Sequence, residues 1–356
     1  MKKHNFSAGP SILPQSVFEK AAQGVLNLDN SGLSILEISH RSEAFVNIFE
    51  EARSLVKELI GLTDDYHVLF LSGGATSQFF MTAMNLLDTN ETASYIDTGT
   101  WSTKAIKEAQ LFGNVEMVAS SKDKGYTYVP KSFDVSDNSK FLHLTTNNTI
   151  YGTQFHQMPD VNVPIVADMS SDIFSKRIDV SKYGVIYAGA QKNMGPAGTT
   201  LLIVRDDMLN RVKRTIPTVL DYRAHIKKDG LLNTPPVFPI YVSMLTLKWL
   251  KELGGVDVIH QRNKEKATLL YNEIDTNPCF VGKVEKADRS LMNITFLLND
   301  NSLDDTFMKA CTDNGIIGVK GHRSVGGFRA SLYNAMPMES VEVFVDVMKE
   351  FGLKYG

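Results

Sequence analysis

From about residue 66 to residue 204 the chain alternates short apolar runs with stretches in which apolar residues recur at helical spacing. "YHVLFLSGG" predicts a buried strand that leads into a helix beginning near "ATSQFFMTAMNLL". "TASYIDTG" predicts a second strand, followed by the helix "WSTKAIKEAQLFG" with its glycine stop. "VEMVAS", "KFLHLTT", "VPIVADMSS", "YGVIYAGA" and "TTLLIVR" read as further strands, rich in the Val, Ile, Leu and Tyr that suit a pleated surface. Strands alternating with helices imply an α/β fold on a mostly parallel sheet with helices on both faces.

The pattern changes after "NTPPVFPIYVSMLTLKWLKELGG", a long helix bounded by prolines before it and Gly254-Gly255 after it. A Lys- and Glu-rich helix follows, then the strand "LMNITFLL", the amphipathic helix "SLDDTFMKACTDNG", the strand "GFRASLYN" and a closing helix "SVEVFVDVMKEFG". The expected division is a large domain over 1–255 and a smaller C-terminal α+β domain over 256–356. The N-terminal segment is a candidate to pack with the smaller one.

Composition narrows the class. A chain of 356 residues exceeds what one core usually serves, which favours two domains. Its 43% hydrophobic and 22% charged residues are those of an ordinary globular protein. A net charge of −3 gives no electrostatic reason to expect nucleic acid or an anionic membrane as partner. No apolar run is long enough to span a bilayer, and "MKKHNFSAGPSILP" has no apolar core behind its lysines. Cys279 and Cys311 stand far apart without metal-ligand spacing, so they are expected to be reduced thiols; no metal site is expected. The expected location is the cytoplasm.

In open α/β sheets, ligands sit beyond the carboxyl ends of strands. Four features lie at such ends. "SGGATSQ" (72–78) is a glycine-rich strand-to-helix turn whose free N–H groups can cradle a phosphate, although it has neither the Walker A nor the dinucleotide spacing; a plain tight turn is the competing reading. Asp168 ends "VPIVAD", where a carboxylate needs a partner; it is either a cap for the next turn or the counter-charge of a buried cationic nitrogen. Lys192, in "AGAQKNMGPAG", stands among small residues between two strands, where desolvation would make its amine a nucleophile or base. Trp101, in "DTGTWS", offers a flat surface for a flat ligand, or simply core packing. A phosphate turn, an aromatic plate, an aspartate for a pyridinium nitrogen and a lysine for an aldehyde together are what pyridoxal 5'-phosphate requires.

"NFSAGPSILP", "EISHR", "YGVIYAGAQKNMGPAG", "DYRAHIKKDGLLNTPPVFPIY" and "KGHRSVGGFRASLYNAMP" together resemble the class-V aminotransferases, pyridoxal-phosphate enzymes of fold type I, over essentially the whole chain. The likeness is to the branch that makes O-phospho-L-serine. It implies ping-pong transfer of an amino group from L-glutamate to 3-phosphohydroxypyruvate, leaving 2-oxoglutarate. It leaves open whether 4-phosphohydroxythreonine, the related substrate of vitamin B6 synthesis, is also used. Lys192 then resembles the lysine that holds the cofactor as an imine, with Gln191 a ligand of the cofactor phosphate. Asp168 would pair with the ring nitrogen, Trp101 would stack on the ring and Thr149 would bond the ring hydroxyl. Ala75 and Thr76 would contact the phosphate, joined by Asn233 and Thr234 from the neighbouring subunit of a homodimer. On the substrate side, Arg329 resembles the α-carboxylate clamp, and His40, Arg41, His322 and Arg323 a second cationic cluster assembled from both subunits.

The chain departs from the family pattern at one point. Many members carry an arginine in the glycine-rich turn where this sequence has Thr76, which puts in doubt how the substrate phosphate is gripped. Two other readings compete. A cysteine desulfurase-like member of the same fold needs a reactive cysteine, and Cys311 falls on the buried-looking face of its helix. A non-catalytic nucleotide-binding protein would use "SGGATS" without a covalent cofactor.

Overall fold

The computed structural model describes residues 2–356. In chain order its principal elements are β1 (His4–Asn5), α1 (Gln15–Leu26), α2 (Glu43–Ile60), β2 (Tyr66–Gly73), α3 (Ala75–Leu86), β3 (Thr92–Asp97) and α4 (Thr100–Ala109). Then come β4 (Asn114–Ser120), β5 (Leu142–Thr145), β6 (Ile165–Asp168), β7 (Tyr183–Gly189), β8 (Gly198–Arg205), α5 (Tyr222–Ile226) and α6 (Val237–Glu252). The last third holds α7 (Gly255–Thr276), β9 (Phe280–Val281), β10 (Asn293–Leu298), α8 (Asp304–Asp313), β11 (Ile316–Ile317), β12 (Phe328–Ser331) and α9 (Met338–Tyr355).

Seven strands form one sheet in the order β2-β8-β7-β6-β5-β3-β4. All neighbours run parallel except β8, which is antiparallel to both β2 and β7. Alternate residues of β2 show why both faces are covered. Val68 and Phe70 belong to a core shared with Phe45 and Phe49 of α2 and Ile240 and Leu247 of α6, whereas Leu69 and Leu71 belong to one shared with Phe79 of α3 and Ala105 of α4. No described helix is long and apolar enough to cross a membrane.

A third core joins Leu270, Phe280, Phe296, Phe307, Phe328 and Phe344 around a three-stranded antiparallel sheet, β12-β10-β9. Phe6 is part of this core, and β1 pairs in parallel with β11, so the first residues of the chain are packed with the last third. Between α6 and α7 the chain turns through Gly254 (φ +110°) and Gly255 (φ +76°), both left-handed conformations that side-chain-bearing residues rarely adopt. The sheet register sets Thr145 beside Asp168 and Asp168 beside Tyr187. The carboxyl ends of β2, β3, β5, β6 and β7 therefore share one edge, and beyond β5 Thr149, Tyr151 and Thr153 meet Arg329, Thr295 and Arg289 of the last third.

Candidate active site

Asp168 ends β6 almost wholly buried. Its Oδ1 accepts the Ser170 backbone N–H (2.9 Å) and the Ser170 hydroxyl (2.6 Å), and the same hydroxyl accepts the Gly189 N–H (3.1 Å). No hydrogen bond from the described residues reaches Oδ2. Burial pushes the carboxyl above its ordinary pKa, while the charge of Lys192 and the Ser170 bonds pull it back.

Lys192 follows β7 in a tight turn closed by Met194 N–H and Gly195 N–H on the Ala190 carbonyl (3.1 and 2.8 Å). The N-terminal segment lies over this turn. Ser11 N–H donates to the Gln191 carbonyl (3.0 Å) and its hydroxyl to the Lys192 carbonyl. Gly9, at φ +145°, comes so near that a Cβ there would stand 3.3 Å from Lys192 Cγ. The Lys192 Nζ donates to Thr149 Oγ1 (2.7 Å) and stands 5.7 Å from the centroid of the Trp101 ring. Burial lowers the amine's pKa to about 8, Asp168 opposing that shift and the Arg329 guanidinium adding to it. A group that would be almost fully ammonium in water is thus partly neutral near pH 7.

Trp101 opens α4 behind Gly99, whose own Cβ would meet the Tyr151 ring at 2.8 Å. The indole Nε1 is buried without a partner among the described residues. In the glycine-rich turn, Gly74 precedes α3 with no side-chain cap, so the first N–H groups of the helix, those of Ala75 and Thr76 among them, stay available to an anion. Thr76 is exposed and Gln191 half-buried.

Arg329 lies on β12. Its NH1 donates to the Thr149 carbonyl (3.1 Å) and its Nε is buried without a partner. Burial lowers its pKa, yet a guanidinium stays charged. His322 and Arg323 are exposed on the loop before β12. Partial burial and the charges of Arg329, Arg323 and Lys104 hold His322 below the ordinary histidine value, so this mouth is cationic. A cavity of about 200 Å³ is lined by Tyr126, Tyr151, His322 and Arg329 among others.

One chain therefore gathers Lys192, Asp168, Thr149, Trp101 and Arg329 at the sheet edge, with the start of α3 at the same edge. No hydrogen bond among the described residues joins His40, Arg41, Asn233 or Thr234 to them, although Asn233 lines a cavity of about 210 Å³ with Ser72 and Ser77 of the glycine-rich turn. Among the described residues His40 Nε2 is buried without a partner and Asn233 bonds only the Thr234 carbonyl (3.4 Å); Arg41, Asn233 and Thr234 are exposed. Sequence reasoning missed Ser170, Gly9, Ser11 and Asn193. Only "SAGPS" carried a hint, since a Gly-Pro pair marks a fixed turn. Cys311 is fully buried, and burial pushes its thiol up to about 12, which leaves it without nucleophilic thiolate.

Chemically, the site offers a desolvated amine, a buried carboxylate with one free oxygen, an aromatic face and a guanidinium. Comparison with known proteins points the same way. The family model described as aminotransferase class-V matches residues 3–344. The phosphoserine aminotransferase of Flavobacterium johnsoniae is 57% identical over 350 residues, 98% of each chain. The solved structure of the phosphoserine aminotransferase from Bacillus circulans subsp. alkalophilus superposes with a TM-score of 0.97 at 44% identity, covering 100% of this chain and 99% of that one. A pyridoxal-phosphate-bound phosphoserine aminotransferase from Trichomonas vaginalis matches with a TM-score of 0.93 at 38% identity, over 98% of this chain and 100% of the other.

Proposed function

This chain belongs to the class-V aminotransferases, in the phosphoserine aminotransferase branch, and from that membership we propose that Lys192, Asp168, Thr149, Trp101 and Arg329 carry its reaction. The reaction is reversible transfer of an amino group from L-glutamate to 3-phosphohydroxypyruvate, giving O-phospho-L-serine and 2-oxoglutarate, with pyridoxal 5'-phosphate as cofactor.

The residues fit that cofactor. Asp168 keeps one oxygen free of protein donors in a buried setting, and Trp101 presents its ring beside the lysine amine. The uncapped start of α3 offers Ala75 and Thr76 N–H groups to a phosphate, with Gln191 and the partner subunit's Asn233 and Thr234 as further ligands. When bound, the cofactor supplies an aldehyde that takes up the amino group and a ring that accepts the electron pair left when Cα loses its proton. Asp168 holds a proton at the ring nitrogen. Thr149 orients the Lys192 amine, which removes the proton from Cα and returns it on the far side of the transfer. Arg329 grips the α-carboxylate of either substrate, and Gly9 to Ser11 screen the lysine from water.

A single observation carries this reading: Thr149 accepts from Lys192 at its hydroxyl (2.7 Å) and from Arg329 at its carbonyl (3.1 Å), so base and carboxylate clamp are referenced to one residue. His40, Arg41, His322 and Arg323 form the distal anion site, for the substrate phosphate or the side-chain carboxylate of glutamate. That site needs a second copy of the chain, because within one chain no hydrogen bond among the described residues links His40 or Arg41 to the rest. The exposed Leu33 and Leu36, just before them, are apolar surface that a homodimer would cover. With two free, buried cysteines, the cytoplasm is the compartment this chemistry suits.

The test is the visible spectrum of the cofactor-loaded protein titrated with O-phospho-L-serine and, separately, with L-glutamate. Both should convert the bound cofactor to its amine form. Conversion by glutamate alone would refute the distal-site assignment with Thr76 in the turn, and conversion by neither would refute the whole reading.

A further inference from the structure

The geometry points to Asn193 and Asn334 as positioning residues that fasten the strand end carrying Arg329 to the two loops carrying Lys192 and Asp168; this inference rests on the transaminase reading above.

Asn193 follows Lys192 directly, and Asn334 lies five residues beyond Arg329. Both are buried, as is Asn263 on α7. The Asn193 side chain donates to the Ile173 carbonyl (2.8 Å) and accepts the Asn334 backbone N–H (2.9 Å). The Asn334 side chain donates to the Phe174 carbonyl (3.0 Å) and accepts from Asn263 Nδ2 (2.8 Å). Ile173 and Phe174 end the turn that begins at Asp168. Phe174 sits there at φ +58°, a left-handed conformation that a bulky residue holds only when its surroundings enforce it.

Two amides thus tie three segments, and each segment bears one reacting or binding group. The partners also fix the chemistry of each amide. The Ile173 and Phe174 carbonyls each take a donor, while the Asn334 N–H and the Asn263 amide each take an acceptor, so each asparagine uses both ends of its amide. An aspartate at 334 would set a carboxylate against the Phe174 carbonyl, and an apolar residue would leave buried groups unpaired. Lys266 completes the frame from α7 by donating to the Leu332 and Tyr333 carbonyls (3.0 and 2.9 Å). Arg329 must hold a carboxylate while Lys192 reaches Cα of the same molecule, so slippage of the small unit against the sheet would separate them. Misplacement by about an ångström is enough to cost rate steeply.

The experiment compares the cofactor-loaded parent with Asn334→Ala, Asn334→Asp, Asn193→Ala and the double alanine variant, each checked for cofactor content and assayed well below its melting temperature. Kd and maximal rate of the half-reaction are measured separately for L-glutamate and O-phospho-L-serine. Asn334→Ala and Asn334→Asp should lower the maximal rate and weaken both substrates, each on the order of 10-fold. Asn193→Ala should also move the pH midpoint of the bound cofactor's absorbance, because it frees the residue next to Lys192. The double variant should be no worse than the poorer single one, since both cut the same fastening. Should Asn334→Ala fail to fold, Asn263→Ala removes only the bond that orients Asn334 and should weaken both substrates in the same sense. A folded, loaded Asn334→Ala (or Asn263→Ala in its place) with both Kd values within about twofold of the parent overturns the inference. So does a double variant whose effects multiply. A parent that transaminates neither substrate refutes the functional reading instead, independently of the asparagines.

Discussion

Ser170 holds Asp168 by a single oxygen: its backbone N–H and its hydroxyl both donate to Oδ1, and no hydrogen bond from the described residues reaches Oδ2. The grip is shared, because the same hydroxyl receives the Gly189 N–H at the end of the neighbouring strand. Ser170→Ala removes a donor to a buried carboxylate and strands the Gly189 N–H, at a stability cost of about 1–3 kcal/mol. The Asp168 pKa then rises further, since one of the bonds lowering it is gone. We expect kcat/KM to fall roughly 10-fold. The acid limb of the pH–rate profile should move to higher pH, because in the proposed reaction Asp168 must stay ionised to hold the ring-nitrogen proton. An acid limb unchanged in the variant would show that Ser170 does not tune Asp168.

The amine of Lys192 carries a second pH dependence. With its pKa lowered to about 8, about a tenth of it is neutral at pH 7, against well under a thousandth for a free lysine. Covalent capture of pyridoxal 5'-phosphate by the cofactor-free protein needs the neutral form. Its rate should rise with pH through about 8 and level off above. Arg329→Gln, which removes a positive charge acting on the amine, should shift that midpoint upward. Lys192→Ala should bind the cofactor without covalent capture and lose at least about 100-fold in turnover. Stopped-flow absorbance of capture and steady-state assays check all three, and a capture midpoint near 10 would contradict the burial argument.

The strand ends that build this site were legible because each follows a four- to eight-residue apolar run with a glycine or polar stop. "VPIVAD" and "YGVIYAGA" deliver Asp168 and the Lys192 turn to the same edge once the sheet is assumed. The reversed direction of β8 was not read, although the short link from Gly189 to Gly198 is too brief for a parallel crossover and could have revealed it. Ser170 and the asparagine fastening lay out of reach for another reason. Asn193 and Asn334 are 141 residues apart, and nothing in the chain around either says which carbonyl its amide will meet. His40 and Arg41 rest on family likeness alone, and in one folded chain no hydrogen bond among the described residues ties them to the Lys192 site.

Lys266 predicts how stability varies with pH. It is buried against backbone carbonyls with no carboxylate partner among the described residues, and its pKa falls to about 7, chiefly through burial and secondarily through the charge of Arg262. A lysine depressed in the fold binds fewer protons there than in the unfolded chain between about pH 7 and 10.5. Its cost is therefore full below pH 7 and fades as pH rises toward the unfolded value. Every tenfold loss of proton affinity is worth about 1.4 kcal/mol, so the swing amounts to several kcal/mol. Lys266→Met leaves the two carbonyls unpaired at every pH, a constant offset. The difference in unfolding free energy should thus shift in favour of the parent between pH 7 and pH 9.5. Denaturant titrations at both pH values measure it, and a difference that stays flat would mean the amine is solvated in the folded state.

Asn233 and Thr234 give the sharpest test of a shared site. Both are exposed in one chain, and the Asn233 amide bonds only its neighbour's carbonyl, so neither has a structural duty that would explain loss of activity on substitution. If they reach the cofactor phosphate of the other subunit, Asn233→Ala/Thr234→Ala chains weaken cofactor binding in the partner rather than in themselves. Lys192→Ala chains are dead in their own site but present intact Asn233 and Thr234. When the two inactive proteins are unfolded together and refolded as a mixture, half of the dimers combine one chain of each kind. Each such dimer has one site with an intact Lys192 supplied by an intact Asn233–Thr234 pair. Activity at limiting pyridoxal 5'-phosphate should therefore recover to about a quarter of the parent's. Were the two residues to act on their own chain's cofactor, every site in the mixed dimer would carry a defect and mixing would restore nothing.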